Sequence, residues 1–354
     1  MSLVPKTVAV VGGGIFGVSA ALKLAEAGAT VTLFDRLPDL LNAASGINQY
    51  RLHRGYHYPR SKSTAAECLT TQDSFLSYYD QAVIDDFEHY YCISKRGSLT
   101  SAEAFVTFCE ELDLEYRTDN QDFIRPDTIE LCVRVKESLI DIDLLRALCH
   151  RKLAEADVQV LLNTPVNISM LRAFDNIVVA AYAGIDSVLE TSALVSPDYQ
   201  FELCEKPVVR LPASLSHRSV VVLDGPFMCF DPLGRSGNSV MGNVTHAIHT
   251  TNVGPKPVYP AHYDDVLNKG LISVPAVSNY ELFIESAKEY FPAIAKASYI
   301  GSQFTIRTVL PHKEKTDERL TNVTRMDERI ISVFAGKLGT SMQAADQLCD
   351  MVFE

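Results

Sequence analysis

The stretch Val8-Ala-Val-Val-Gly-Gly-Gly-Ile-Phe-Gly-Val-Ser-Ala-Ala21 decides the fold. A short apolar run with the length of a buried parallel strand leads into Gly12, Gly14 and Gly17, spaced G-x-G-x-x-G. Ile15 to Ala27 repeats apolar residues at helical spacing, and Gly28 closes the helix. Thr30-Val-Thr-Leu-Phe-Asp35 then reads as a second strand, so the opening of the chain is a βαβ unit whose last strand ends in an acid. The three glycines do different things. Gly12 allows the tight turn, Gly14 lets the backbone approach a pyrophosphate, and Gly17 lets helix and strand pack closely. Asp35 stands where such a unit sets a carboxylate against the ribose hydroxyls of an adenine dinucleotide, while the helix N-terminus offers partial positive charge to the phosphates. Strand, helix and acid together point to dinucleotide binding; the glycines alone would also serve a tight strand-to-helix turn in another α/β fold.

The rest of the chain narrows the partners. Its 354 residues are enough for two domains. A formal net charge of −12, with no block of five basic residues, argues against nucleic acid or an anionic membrane surface and leaves small molecules. Apolar runs such as Ile177 to Ala181 fall far short of the roughly 20 residues a membrane-spanning helix requires, so no transmembrane segment is expected. The first strand begins too soon after Met1 for an export signal. The eight cysteines are scattered among apolar neighbours with no C-x-x-C pair, as small core residues of a reducing compartment. A cytoplasmic protein is the expectation.

Further along, Asn42 to Ser61 is irregular, polar and aromatic, and Thr64 to Val83 reads as a helix. Tyr90 to Ile93 is strand-like, and Thr100-Ser-Ala-Glu103 predicts a capping box opening a helix through Leu112. Asp141 to Ala154 is an amphipathic helix before the strand Val158 to Leu162, and Asp175 to Ala181 is a buried strand ended by Tyr182-Ala-Gly184. Between Leu203 and Thr250 the texture changes to short alternating strands with turn signals, the language of an antiparallel sheet. A helix at Asn279 to Glu289, a strand at Ser302 to Val309, and finally Arg329 to Val333, a glycine loop and a helix from Thr340 complete the chain.

This order resembles the D-amino-acid oxidase superfamily of FAD-dependent oxidoreductases over nearly the whole length. The resemblance implies a mixed α/β (α+β) fold. A Rossmann-like FAD-binding domain would be assembled from residues 1–75, 140–200 and 320–354, and a mainly antiparallel substrate domain from 76–139 and 201–319. The run Asn48-Gln-Tyr-Arg-Leu-His53-Arg-Gly55-Tyr-His-Tyr58-Pro59-Arg-Ser61 is similar to the flavin-proximal segment of the L-2-hydroxyglutarate dehydrogenase and oxidase branch. It puts Ser45, Asn48 and Arg51 at the cofactor. Gly336-Lys337-Leu338-Gly339-Thr340 is similar to the flavin loop of the flavin-linked glycerol-3-phosphate dehydrogenases. Such a loop sets backbone N–H groups and a helix N-terminus near the flavin N1 and C2 carbonyl, where negative charge gathers on reduction. Lys337 would add a full charge there, or be a solvated loop lysine. Ala181 and Gly184 match the strand and turn that pack on the cofactor, and Val166 the position whose backbone meets the adenine.

The chemistry implied is oxidation of a small α-substituted carboxylate, a 2-hydroxy acid ahead of an amino acid, by hydride transfer to flavin N5. It needs a base for a hydroxyl proton and a cation for the carboxylate. His53 and His57 are the candidate bases, either of which could instead fix the loop, and Tyr58 has a supporting role. Arg307 resembles the superfamily arginine that grips a substrate carboxylate, and Arg51 competes for that role. His246 and His249 are spaced H-x-x-H without an acid or cysteine to complete a ligand set, so no metal is expected. Two other classes stay open, an NAD(P)H-dependent flavin monooxygenase on a similar fold and a flavoprotein without turnover. The electron acceptor, whether oxygen, a quinone or a carrier, is left undetermined.

Overall fold

In the computed structural model, which describes residues 5–225, 227–313 and 315–354, the opening stretch folds as strand Thr7–Val11, helix Ile15–Glu26 and strand Thr30–Phe34. The helix forms from a run rich in Ala and Leu, starts at an extended Gly14 with no side-chain cap, and stops where Gly28 takes φ +92°. Almost every side chain from Ile15 to Leu24 is buried, because the sheet covers one face and the helices Ile142–Glu155 and Ser341–Phe353 flank it. A Cβ on Gly17 would overlap the Gly12 carbonyl, so this contact is the close strand-to-helix packing its position predicts.

Thr7–Val11 pairs in parallel with Thr30–Phe34 on one side and with Asn176–Val179 on the other. The sheet has six strands in the order 322–325, 330–334, 176–179, 7–11, 30–34, 159–161. Asn322–Arg325 runs antiparallel to Ile330–Phe334 at one edge, and the other pairings are parallel. The near-continuous apolar runs of the inner strands suit a sheet covered on both faces.

A second sheet of nine strands carries the rest. The stretch read as short strands contains one long strand, Tyr199–Arg210, which pairs along its whole length with Ser298–Val309. Ile129–Val135, for which the sequence pattern gave no strand, pairs with Glu88–Ser94. A three-stranded sheet of Arg51–Leu52, Ser138–Ile140 and Val83–Ile84 lies beside these.

One local expectation is corrected. The helix Ala102–Glu111 is capped by Ser101, whose Oγ accepts from Ala104 N–H at 3.1 Å, and not by Thr100. Thr100 is withdrawn because its hydroxyl donates to the buried Asp224 at 2.7 Å. Tyr182, at the turn that ends the strand Asn176–Val179, adopts φ +52° and reaches across to the second sheet. Its hydroxyl donates to Thr308 O at 2.8 Å and accepts from Thr308 N–H at 2.9 Å, beside Arg307.

Candidate active site

The glycine loop, the irregular run 42–58, the turn at 181–184 and the strand ending in Val309 surround one cavity of about 580 Å³. Gly12 and Gly14 line it from the loop and Asp35 from the end of the second strand. Both carboxylate oxygens of Asp35 brace the backbone, accepting from Gly13 N–H at 2.5 Å and Leu37 N–H at 2.7 Å. A carboxylate has further acceptor sites, so a ribose hydroxyl can still be served. Ser45 accepts from Ile15 N–H at 3.1 Å, taking one of the amides at the helix N-terminus, and Asn48 donates to Ala44 O and Ser45 O. Both line the cavity while shaping its wall. Val166, Ala181 and Gly184 close the side nearest the first sheet.

Gly336, Lys337 and Leu338 line the cavity from the C-terminal loop. Gly339 and Thr340 do not, which corrects the expectation that the whole loop faces the ligand. Thr340 is fully buried because its hydroxyl donates back to Lys337 O at 2.7 Å, closing the turn. Lys337 is no solvated lysine: its Nζ lies 4.4 Å from the centre of the Tyr58 ring, and burial, then Arg319, lowers its pKa to about 8.

His53, His57 and Tyr58 form a packed aromatic group beneath Lys337, with ring centres 5.2 to 5.5 Å apart, and all three line the cavity. Burial lowers the pKa of both histidines below 6.5 and raises that of the Tyr58 phenol, so all three are neutral at pH 7. His53 Nδ1 lies 3.5 Å from Glu137 Oε1.

Arg51 also lines the cavity, but its charge is spent. It pairs with Glu137 at 3.1 Å and Asp231 at 2.6 Å, with 1% of its side chain exposed. It is therefore not a free cation for a substrate carboxylate, and its competition with Arg307 for that role is withdrawn. Arg307 stands opposite Glu202 in the pairing of the two long strands, and Glu202 Oε2 takes Nε at 2.5 Å and Nη2 as well. Among the described residues Nη1 has no partner. Three more residues at or behind the cavity wall were not read from the sequence: Glu137, Glu202 and Lys206. Lys206 lines the cavity without a side-chain partner among the described residues, and burial lowers its pKa. A signal for it existed, since it shares a strand face with the apolar Cys204 and Val208, an unusual place for a lysine.

The residues fit a dinucleotide with a redox ring. The N-cap Gly14 has no side chain of its own to cap the helix, and among the described residues buried polar atoms without hydrogen-bond partners remain at Gln49 Oε1 and Nε2, His57 Nδ1 and Tyr58 OH around the same cavity. Residues 7–319 match a family described as FAD dependent oxidoreductase. The chain belongs to that family. FAD is its cofactor, and it is an oxidoreductase. A curated relative, FAD-dependent monooxygenase FPY4 of Fusarium mangiferae, is 23% identical over 98% of this chain and 91% of its own length. Among solved structures, the FAD-bound L-alpha-glycerophosphate oxidase of Mycoplasma pneumoniae superposes with a TM-score of 0.74 at 14% identity, covering 99% of this chain and 96% of that one. The glycine oxidase of Geobacillus kaustophilus gives a TM-score of 0.71 at 16% identity, covering 98% and 94%.

No helix among the described residues is long and apolar enough to cross a membrane, and no group of three or more His, Cys, Asp or Glu there could hold a metal ion.

Proposed function

We propose that the protein oxidises a small α-substituted carboxylate, a 2-hydroxy acid ahead of an amino acid, by hydride transfer to flavin N5. The observation that carries this reading is the neutral His53–His57–Tyr58 group lying beneath Lys337 in the same cavity as the glycine loop. Neutral imidazole can take a hydroxyl proton at pH 7, which a 2-hydroxy acid requires and an amine does not. The similarity of Asn48 to Ser61 to the L-2-hydroxyglutarate branch supports the hydroxy acid. The bound FAD supplies the two-electron acceptor.

In this reading His53 accepts the hydroxyl proton, with His57 as its substitute, and Tyr58 packs both rings in place. Arg307 offers Nη1 to the carboxylate while Glu202 fixes the guanidinium plane. Lys337, with the backbone of Gly336 and Leu338, would hold the flavin ring and supply positive charge beside it. Residues 1–75, 140–200 and 320–354 form the FAD-binding unit and 76–139 and 201–319 the substrate unit, a division supported by all six strands of the mainly parallel sheet lying in the first set. Free cysteines, six of them buried, support the cytoplasm as the compartment.

A second reading, an NAD(P)H-dependent monooxygenase, is favoured by the activity that the Fusarium relative is named for. Anaerobic mixing separates the two. Bleaching of the flavin by a 2-hydroxy acid or an amino acid supports the first, and bleaching by NAD(P)H alone overturns it in favour of the second.

A further inference from the structure

Behind His53 lies a buried group of charges. Arg51 is held between Glu137 and Asp231, and the side chains of both acids are fully buried. One guanidinium is shared between two carboxylates, and the nearby cation Lys206 acts on Asp231, so Glu137 depends on further donors or a nearby proton. The donors to Glu137 are fixed: Oε2 accepts from Arg51 Nη1 at 3.1 Å and Tyr91 OH at 2.8 Å, and Oε1 from Arg54 N–H at 3.1 Å. Asp231 accepts from Ser219 Oγ at 2.7 Å. The remaining direction of Oε1 points to His53, whose Nδ1 is buried and has no hydrogen bond among the described residues at 3.5 Å. Since Nδ1 is the enclosed ring nitrogen, Nε2 is the one open to the cavity that His53 lines.

The fold itself makes this arrangement. Ser138–Ile140 pairs with Arg51–Leu52, Leu139 opposite Arg51 and Ser138 opposite Leu52, so the residue before one strand meets the residue after the other. That register brings Glu137 to His53 across 84 positions of chain (137 − 53).

We propose that Glu137 is the positioning residue for His53. Its carboxylate accepts the Nδ1 proton and so keeps the ring in the tautomer whose Nε2 is a proton acceptor, and it stabilises the imidazolium formed in the reaction. This rests on the hydroxy-acid reading above. The substrate O–H bond breaks and its proton goes to Nε2. The α C–H bond breaks and its electron pair leaves as hydride to the flavin, and a C=O bond remains. As His53 becomes cationic, its charge forms beside Glu137, which shares its one guanidinium with Asp231. The 3.5 Å separation shortens to a hydrogen bond in the reacting complex, as catalytic contacts commonly do. His53 also faces His57, Lys337 and Arg51, which all disfavour its charged form, while Glu137 favours it. His89, buried on the same acid and with its pKa lowered to about 4 by burial, stays neutral and does not compete for the proton.

The test uses FAD-loaded protein labelled with ¹⁵N-histidine, the His53 signal being assigned by its loss in His53→Asn. In the wild type, long-range ¹H–¹⁵N correlation is expected to find neutral His53 protonated at Nδ1; protonation at Nε2 overturns the proposal without any variant. Glu137→Gln should lower the His53 titration midpoint by roughly one to three pH units, the range for loss of a close opposite charge, and Glu137→Asp should restore part of it. An unchanged midpoint in a folded, yellow Glu137→Gln protein overturns the proposal. With a reducing substrate in hand, the acid limb of the flavin-reduction rate moves with the same midpoint. If no hydroxy acid bleaches the flavin, the functional reading fails on its own, while the tautomer and the titration still judge the pairing.

Discussion

Replacing Arg51 by Met removes one cation from between two buried acids at nearly constant shape. Glu137 then keeps Tyr91 OH and the Arg54 amide, but Asp231 keeps, among the described residues, one hydrogen bond, from Ser219 Oγ 2.7 Å away. Breaking a buried ion pair by removing one partner costs about 3–5 kcal/mol, because the other charge stays buried and unpaired. For a chain of this size that is a fall in Tm of about 4–7 °C. The pH signature is sharper than the magnitude. Burial already raises the Asp231 pKa above its ordinary value, with Arg51 opposing, so losing Arg51 raises it further. A group whose folded pKa exceeds its unfolded one contributes stability that is lost as pH rises through the folded value. The deficit of Arg51→Met relative to wild type should therefore be small near pH 5 and grow towards pH 8, by about 1.4 kcal/mol for each unit of further shift. Urea unfolding followed by circular dichroism at both pH values measures it. A variant as stable as wild type at pH 8, or a deficit that ignores pH, would refute the reasoning that Arg51 is the counter-ion on which the buried acids depend.

Gly14 has φ −71°, which any residue tolerates, so Gly14→Val should fold; its side chain enters the cavity beside Ser45 Oγ, and the purified protein should lack flavin absorbance. His53→Asn should slow flavin reduction by roughly two to four orders of magnitude in rapid mixing with a hydroxy acid. Because burial lowers the His53 pKa below 6.5, the wild-type rate should show an acid limb below neutrality that the variant lacks, apart from any alkaline limb as Lys337 loses its charge near pH 8. Arg307→Leu should retain FAD and chiefly raise KM, since it loses the cation proposed for the carboxylate and leaves Glu202 unpaired; unchanged substrate affinity would pass the role to Lys206.

The local grammar of the chain determined its first strand, glycine turn, helix and acid, and with them the cofactor class. These features depend on residues close in sequence, where φ freedom at Gly12 and a missing Cβ at Gly17 act directly on the backbone. The His53–Tyr58 run and Lys337 were legible for a similar reason, since a short segment carries its own histidines and glycines. Tertiary structure alone decided which charges are free. Glu202 lies 105 positions before Arg307 and Asp231 lies 180 after Arg51 (307 − 202; 231 − 51), and each pair meets through the packing of strands distant in sequence. A shift of one residue in such a pairing would turn the side chains to the opposite face, so no local pattern could foretell that Arg51 is a buried counter-ion, that Lys206 faces the cavity without a side-chain partner among the described residues, or that Glu137 stands behind His53.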